Sequence, residues 1–330
     1  MADVRVGVAG ATGALGKEIV ALLDKAKWRP DAIVPLASAS TTIPFVDYGG
    51  ERIAVDDLAG EALDSLDALI LAVPSDVAIG AAERAAEEGT LVVDCSGAFL
   101  DDPEVPTCIP WVNPAALEEP LRGIVAIPSS AATLLASALG PLTRAGVDGA
   151  FNATVMVPAS NWGRAGIDEL SRQVVTLFNA GTPPRKIFEN GLAFDLLPQL
   201  GNLTESGWTE DELRVVGELR QILGIETELD VSLVAVPLFS GVSANCELRP
   251  GRHVPPELAR QVLSDGGVVI GDDDGARYVP RPRRVEGQPF AHAGRIRADT
   301  SGNLHLWLSM DNLRASAAVA VSTCGALVRS

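Results

Sequence analysis

Three evenly spaced glycines follow the first apolar run of the chain. Residues 4–9 are apolar except for Arg5, and they lead directly into Gly10-Ala-Thr-Gly13-Ala-Leu-Gly16. Residues 17–25 then carry apolar side chains at helical spacing. A strand, a glycine turn and a helix in this order place main-chain N–H groups at a helix N-terminus, where an anionic pyrophosphate is favoured. The pattern therefore predicts a dinucleotide-binding site; the alternative is that the glycines serve packing alone.

The same alternation of strands and helices continues through the first third of the chain. We predict strands at residues 32–37, 68–73 and 90–94 and a helix at 78–88. Hydrophobic residues make up 47% of the chain and aromatic residues only 5%, which is typical of buried parallel strands covered by helices. The predicted fold class is therefore α/β, with a Rossmann-type, doubly wound parallel sheet.

The remainder of the chain has a different pattern. A predicted helix of small and apolar residues at 131–142 marks the passage to a second domain. Within that domain, residues 149–157 and 231–239 are rich in β-branched side chains, whereas 166–179 and 209–223 have helical periodicity. We predict an α+β domain with a mixed or antiparallel sheet, an acidic turn at residues 271–275 and an exposed loop at residues 280–289.

Charge and cysteine content exclude several functions. The chain has 43 acidic and 26 basic residues, a net charge of −17, which disfavours binding to nucleic acid or to an anionic membrane surface. Its four cysteines and three histidines lack the spacing of a disulfide framework or a metal site. No apolar stretch reaches the roughly 20 residues of a membrane span. We expect a cytoplasmic protein without a bound metal.

Motifs along the whole chain resemble the aspartate-semialdehyde dehydrogenase family. They are Gly7-Val-Ala-Gly10-Ala-Thr-Gly13-Ala-Leu-Gly16, Gly163-Arg-Ala-Gly-Ile-Asp-Glu-Leu170 and Asp311-Asn-Leu-Arg314. The resemblance implies an NADP or NAD cofactor and a homodimer formed through the second domain. It also implies that the last helix returns to the cofactor domain, which gives domains of 1–128 with 311–330 and of 129–310. The cofactor-binding residues expected on this basis are Gly10, Thr12, Gly13, Ala14, Leu15, Ser38 and Asn312.

The loop after the second strand leaves the choice between NADP and NAD open. An NAD site usually has an acidic residue at this strand end, but the sequence here is Leu36-Ala-Ser-Ala-Ser-Thr41. The family's corresponding pattern is Ala-Ser-x-Arg-Ser, and Ser40 stands near the place of its arginine. The hydroxyl groups of Ser38, Ser40 and Thr41 are weak candidates for a 2′-phosphate site, and an ordinary polar loop is an equal alternative.

The residues that perform the family's chemistry are replaced. The family forms a thioester on a cysteine in an Asn-Pro-Asn-Cys-Ser-Thr pattern, and the matching segment here is Ile127-Pro-Ser-Ser130-Ala-Ala132. A serine hydroxyl is much less acidic than a thiol and needs a base of its own. The family's base is a histidine in Arg-Val-Pro-Val-x-x-Gly-His, a position that Val242 occupies. Nucleophile and base are therefore both predicted to be absent.

The family's anion anchors are changed as well. Ala235 stands at the place of the arginine that binds the substrate carboxylate, and Leu100 at that of a phosphate-facing arginine. Arg214 matches a substrate-binding basic residue and Asn113 matches a Val-Asn-Pro motif, so both are candidate substrate-binding residues. For Arg214 the alternative is a solvated helical charge.

This mixture resembles the Usg-type paralogues, which lack the catalytic residues. Their Leu-Ala-Phe-x-x-Leu-Pro phrase matches Leu192-Ala-Phe-Asp-Leu-Leu-Pro198. We predict loss of the thioester-forming reaction and a binding or regulatory role, with an active dehydrogenase paralogue as one candidate partner. The alternative is an NADP-dependent oxidoreductase that acts on aspartate semialdehyde or another aldehyde or acyl phosphate through Ser130 or Cys95. Cys95 follows a strand end, where ligands of such sheets gather, but a buried structural cysteine is the simpler interpretation.

Overall fold

The computed structural model describes residues 4–39, 41–60, 63, 65–118, 120–271 and 279–329. The chain divides into two compact units, Met1–Ser129 with Ser316–Ser330 and Ser130–Ala315. The sequence prediction divides the chain after residues 128 and 310.

The first unit contains a six-stranded parallel sheet. Its strand order is β5-β2-β1-β6-β7-β8. β2 and β5 lie on one side of β1, and β6, β7 and β8 lie on the other. The strands β6 and β7 are almost continuously buried runs, as expected for strands covered on both faces. The elements are β1 (Arg5–Ala9), α1 (Ala14–Leu23), β2 (Ala32–Ala37), the hairpin β3 (Phe45–Tyr48) and β4 (Glu51–Ala54), β5 (Asp56–Asp57), β6 (Ala68–Leu71), α2 (Ser75–Glu87), β7 (Leu91–Asp94) and β8 (Ile124–Ala126).

The second unit is built on a mixed six-stranded sheet. The order is β10-β9-β11-β14-β13-β12; the β10–β9 and β12–β13 pairs are parallel and the others antiparallel. The predicted α/β fold with a second α+β domain is thereby confirmed. The elements are α3 (Ser130–Arg144), β9 (Gly149–Val157), α4 (Gly163–Phe178), α5 (Glu210–Leu223), β10 (Leu229–Ala235), β11 (Val242–Pro250), α6 (Pro256–Asp265), β12 (Val269–Ile270), α7 (Pro282–Val285), β13 (His292–Ala298), β14 (Leu304–Met310) and α8 (Asn312–Leu327).

Local sequence signals explain several element boundaries. α5 begins with a capping box, in which Thr209 Oγ1 accepts from the Glu212 N–H and Glu212 Oε2 accepts from the Thr209 N–H. The predicted loop at 280–289 contains the short helix α7, because Pro282 is favourable at the first helical position. Most of the predicted acidic turn at 271–275 lies outside the described residues.

The described residues contain neither a candidate membrane span nor a candidate metal cluster. No helix among them combines the length and the apolar character that a membrane span requires. In the same residues, no group of three or more histidine, cysteine, aspartate or glutamate side chains is arranged to hold a metal ion.

Candidate active site

The glycine turn between β1 and α1 forms one wall of a pocket of about 740 Å³. Gly10 has a φ of +79° and donates its N–H to the Leu36 carbonyl at the end of β2. A Cβ at Gly10 would overlap the Ala72 carbonyl, and one at Gly16 would overlap the Gly10 carbonyl. Only glycine allows this close approach of backbones. The turn thus leaves space for a ligand beside the N-terminus of α1, which is favourable for an anion.

The predicted cofactor residues are only partly brought together. Gly10, Thr12, Gly13 and Ser38 line the pocket. The first two residues of α1, Ala14 and Leu15, are not among the described lining residues, although N–H groups of a first helical turn lack intrahelical acceptors. Thr12 Oγ1 lies 3.4 Å from Thr41 Oγ1, and this contact links the glycine turn to the loop after β2. Ser40 lies outside the described residues.

The opposite wall contains residues that sequence analysis missed. The face of α2 that lines the pocket consists of Val77, Gly80, Ala81 and Arg84, and an Arg84 Nη2 donates to the Leu58 carbonyl at 3.4 Å. This i, i+3, i+4, i+7 spacing was visible in the sequence, but nothing local indicated that the face borders a ligand pocket.

A carboxylate also borders this pocket. Asp57 ends the two-residue strand β5, which pairs with β2 at Ala37, and it lines the pocket beside Ser38. An acidic side chain is therefore present near the end of β2, although it comes from another strand. A two-residue edge strand has no periodicity, so no pattern in the sequence indicated it.

The pocket suits a dinucleotide. A Cβ at Gly10 would overlap the Ala72 backbone, and the hydroxyl-bearing residues Thr12, Ser38 and Thr41 line the pocket. When bound, NADP or NAD supplies hydride transfer chemistry. The chain contributes the binding surface: the glycine turn before α1 would hold the pyrophosphate, and the face of α2 that lines the pocket would border the nucleotide.

Ser130 is a buried residue at the first position of α3. Within the described part of the chain, its Oγ has one hydrogen-bond contact, with Oδ1 of Asn161 at 3.5 Å. An amide oxygen accepts a proton in a hydrogen bond but cannot take one up as a general base at neutral pH. This contact supplies no group that could remove the hydroxyl proton.

Val242 begins β11 opposite Met310 and is completely buried. The backbone just before it is held by Asn312, whose Oδ1 accepts from the Gly241 N–H at 2.8 Å. Asn312 Nδ2 donates to Ser160 Oγ at 2.9 Å. The amide of Asn312 therefore cross-links two loops of the second unit, and its predicted role in cofactor binding stays a prediction.

Arg214 and Asn113 also have structural partners. Arg214 Nη1 pairs with Asp211 Oδ1 at 3.0 Å on the exposed side of α5. Asn113 Oδ1 accepts from the Ile109 N–H at 2.8 Å, and its Nδ2 donates to the Thr107 carbonyl at 2.9 Å. These bonds close the turn after β7. The predicted substrate-binding roles of both residues remain untested.

The positions of the anion anchors are apolar in three dimensions as well. Leu100 packs against the hydrophobic core of the first unit. Ala235 is buried at the end of β10, where its backbone pairs with Leu197.

The thiols are poor nucleophiles. Burial, together with the neighbouring Asp94 carboxylate, raises the pKa of Cys95 well above its ordinary value. Burial also raises the pKa of Cys108 and of Cys324 to about 12, and that of Cys246 further still. Because the thiolate is the reactive form, these environments suppress reaction at neutral pH.

The histidines do not supply the missing base. Burial lowers the pKa of His292, and neither of its ring nitrogens has a hydrogen-bond partner among the described residues. His305 Nε2 pairs with Asp299 Oδ2 at 3.2 Å, and His253 is exposed. In the described residues, no cysteine is hydrogen-bonded to a histidine.

Two family models match nearly the whole chain. Residues 5–119 match the NAD-binding domain of semialdehyde dehydrogenase, and residues 139–315 match the dimerisation domain of semialdehyde dehydrogenase. The chain belongs to the semialdehyde dehydrogenase family. This membership confirms the predicted dinucleotide cofactor, NADP or NAD, and supports the predicted homodimer.

Similar proteins agree with this membership. The chain is 29% identical to an aspartate-semialdehyde dehydrogenase of Rickettsia conorii, with 95% of this chain and 94% of that protein covered. It is 30% identical to a USG-1 protein homolog of Azotobacter vinelandii, with 96% and 95% covered. Among solved structures, aspartate semialdehyde dehydrogenase II of Vibrio cholerae complexed with ASA has a TM-score of 0.94 at 27% identity, and covers 100% of this chain and 99% of that one. The predicted relationship to aspartate-semialdehyde dehydrogenases is confirmed.

Proposed function

We propose that this semialdehyde dehydrogenase family member binds NADP or NAD but has lost the thioester-forming reaction, and that it serves as a binding or regulatory paralogue. The observation that carries the proposal is the contrast between the two units. The glycine turn of the first unit lines a pocket that suits a dinucleotide, whereas the nucleophile and base positions of the second unit hold Ser130 and Val242.

The environment of Ser130 supports the loss of nucleophilic chemistry. Acyl transfer to a hydroxyl requires a base that removes its proton, and the contact of Ser130 Oγ is the neutral amide of Asn161. Val242 has no group that accepts a proton. A nucleophile and its base act as a unit, so the loss of both removes several orders of magnitude in rate.

The thiols support the same conclusion. Cys95 directly follows β7 of the nucleotide-binding sheet. Burial and the neighbouring Asp94 carboxylate raise its pKa, so the thiol stays protonated at neutral pH. The relative named as a USG-1 homolog is a further indication, because the phrase Leu192–Pro198 resembles that group. A cytoplasmic location and pairing with an active paralogue are parts of the same proposal.

Phosphate-dependent oxidation of aspartate semialdehyde, followed by formation of NADPH or NADH, tests the proposal. An authentic aspartate-semialdehyde dehydrogenase is the positive control. We expect no turnover with either nucleotide, while both are tested for binding by calorimetry on the same preparation. Turnover that Ser130→Ala or Cys95→Ala abolishes, and that the control Ser137→Ala in the same helix leaves intact, would overturn the proposal.

A further inference from the structure

Two charged side chains of opposite sign, Asp57 and Arg84, line the nucleotide pocket of the first unit. No other lining residue in the described part of the chain carries a charge. Ser38, which directly follows β2, borders the same space. In dinucleotide-binding sheets, an acidic side chain near this strand end accepts the ribose 2′-hydroxyl of NAD, whereas an arginine accommodates the 2′-phosphate of NADP. The charged side chain that lies beside the end of β2 therefore decides which nucleotide the pocket prefers.

Strand pairing places Asp57 beside the end of β2. In the parallel β2–β5 pair, Asp57 lies opposite Ala37 and Asp56 lies opposite Leu36. Paired residues point to the same face of a sheet, so Asp57 shares the face of Ala37, which also lines the pocket. The Leu58 N–H donates to the Ala37 carbonyl at 2.9 Å and fixes β5 at this strand end. The Asp57 carboxylate is thereby held next to the last residue of β2.

One peptide group separates the two charges. Asp57 Oδ1 accepts from the Ala59 N–H at 3.2 Å, and Arg84 Nη2 donates to the Leu58 carbonyl at 3.4 Å. This N–H and this carbonyl belong to the same peptide, which is trans, so they point in opposite directions. The carboxylate and the guanidinium therefore lie on opposite sides of that peptide. Asp57, rather than Arg84, is the charged side chain adjacent to the end of β2.

We infer that Asp57 makes this pocket selective for NAD over NADP. The inference rests on the proposed function, because it concerns the nucleotide that the first unit is proposed to bind. A carboxylate that accepts one N–H through Oδ1 retains the capacity to accept a ribose hydroxyl through Oδ2. A 2′-phosphate at the same place brings negative charge beside the carboxylate, and residues 38–41, Ser-Ala-Ser-Thr, provide no cation to offset it.

The size of the preference follows from these charges. Two unit charges about 4 Å apart change an equilibrium constant by about fivefold at the dielectric constant of water, and by more near a protein surface. A phosphate monoester carries more than one negative charge at neutral pH. The hydroxyl of NAD instead gains a hydrogen bond to a charged acceptor. Both effects favour NAD, so a preference of at least about tenfold is expected.

Calorimetric titration of the full chain with NAD and with NADP, at low and at high salt, tests the inference. We expect NAD to bind wild type at least about tenfold more tightly than NADP at low salt. Asp57→Asn keeps an acceptor for the Ala59 N–H but loses the charge, so it is expected to bring the two affinities to within about threefold. Because salt screens charge repulsion, the preference of wild type is expected to shrink at high salt.

Asp56→Asn is the matched control for this titration. It removes the same charge from the adjacent residue of β5, which lies opposite Leu36 and is not among the described lining residues. It is expected to keep the preference of wild type. If Asp57→Asn folds poorly, Asp57→Ser gives the same comparison, because a serine hydroxyl also accepts a main-chain N–H two residues later.

The outcomes separate this inference from the proposed function. Nucleotide binding stands but the inference is overturned if NADP binds wild type as tightly as NAD, or if Asp56→Asn reduces the preference as much as Asp57→Asn. A preference for NADP that Arg84→Gln abolishes would also overturn it and would assign the choice to Arg84. Binding of neither nucleotide would overturn both the inference and the nucleotide binding on which it rests.

Discussion

Replacement of Glu169 by alanine is expected to destabilise the second unit by about 3–5 kcal/mol. The buried carboxylate accepts three main-chain N–H groups, those of Lys186, Ile187 and Phe188. A hydrogen bond to a charged group contributes about 1.5–3 kcal/mol, which gives about 5–9 kcal/mol for three. Lys186 is exposed and Ile187 only partly buried, so water replaces part of the loss. The expected cost is therefore about 3–5 kcal/mol, at or below the lower end of that range.

The stabilisation by Glu169 has a defined pH dependence. Burial raises the pKa of this carboxyl, but the N–H groups of Phe188, Ile187 and Lys186 together lower it below its ordinary value. Because the folded pKa lies below that of the unfolded chain, the stabilisation is complete above the ordinary glutamate pKa of about 4.3. It is lost as the pH falls through the folded pKa. Glu169→Gln, which keeps the shape but not the charge, is expected to lack this dependence.

Equilibrium urea unfolding at neutral and acidic pH measures these effects. Glu189→Ala is the matched control, because Glu189 lies exposed in the same loop and is expected to cost less than about 0.5 kcal/mol. If Glu169→Ala costs no more than Glu189→Ala at neutral pH, the anchoring role of the carboxylate is refuted.

Three further predictions concern the site and the core. Burial lowers the pKa of His292, so the unfolded chain binds a proton more readily than the folded protein does. Wild type should therefore lose stability relative to His292→Leu as the pH falls below about 6.5. Free energies of unfolding that change in parallel for the two proteins across this range would contradict the prediction. Gly13→Asp should retain the fold, since aspartate is a good N-cap, yet weaken NADP and NAD binding at least about tenfold in calorimetry. Gly251→Asp, which adds the same charge in open space, should bind normally, and equal binding by all three proteins would contradict the assigned cradle. A thiol reagent at neutral pH should label no cysteine rapidly in the folded protein; rapid labelling of Cys95 would contradict its raised pKa.

The first unit was predictable because its signals are local. A buried strand, the glycine turn and the amphipathic helix α1 follow one another within residues 5–23, and each is specified by neighbouring residues. In the second unit, β9 matches its predicted range of 149–157 for the same reason, since buried apolar residues alternate along it at 151, 153, 155 and 157. The expectation that the last helix returns to the first unit comes from the family motifs, because periodicity alone does not indicate which unit a helix joins.

Residues whose role depends on distant contacts were not predictable. Asp57 borders the nucleotide pocket only because β5 pairs with the edge of β2. In sequence, Glu169 and Gln173 are ordinary polar residues of a helix. Their burial depends on hydrogen bonds with a loop that follows 11 to 20 residues later in the chain. The amide of Asn312 was expected at the cofactor, whereas its contacts with Ser160 and Gly241 require the folded sheet.

The mass of the intact protein after incubation with aspartate semialdehyde, without phosphate and with NADP or NAD, tests the central claim most directly. In the family's reaction, the substrate transfers a hydride to the nucleotide and its acyl group remains on the enzyme, so the control dehydrogenase gains the mass of one acyl group. We predict that this chain keeps its unmodified mass while saturated with nucleotide. An acyl adduct that maps to Ser130 or Cys95 would contradict the account.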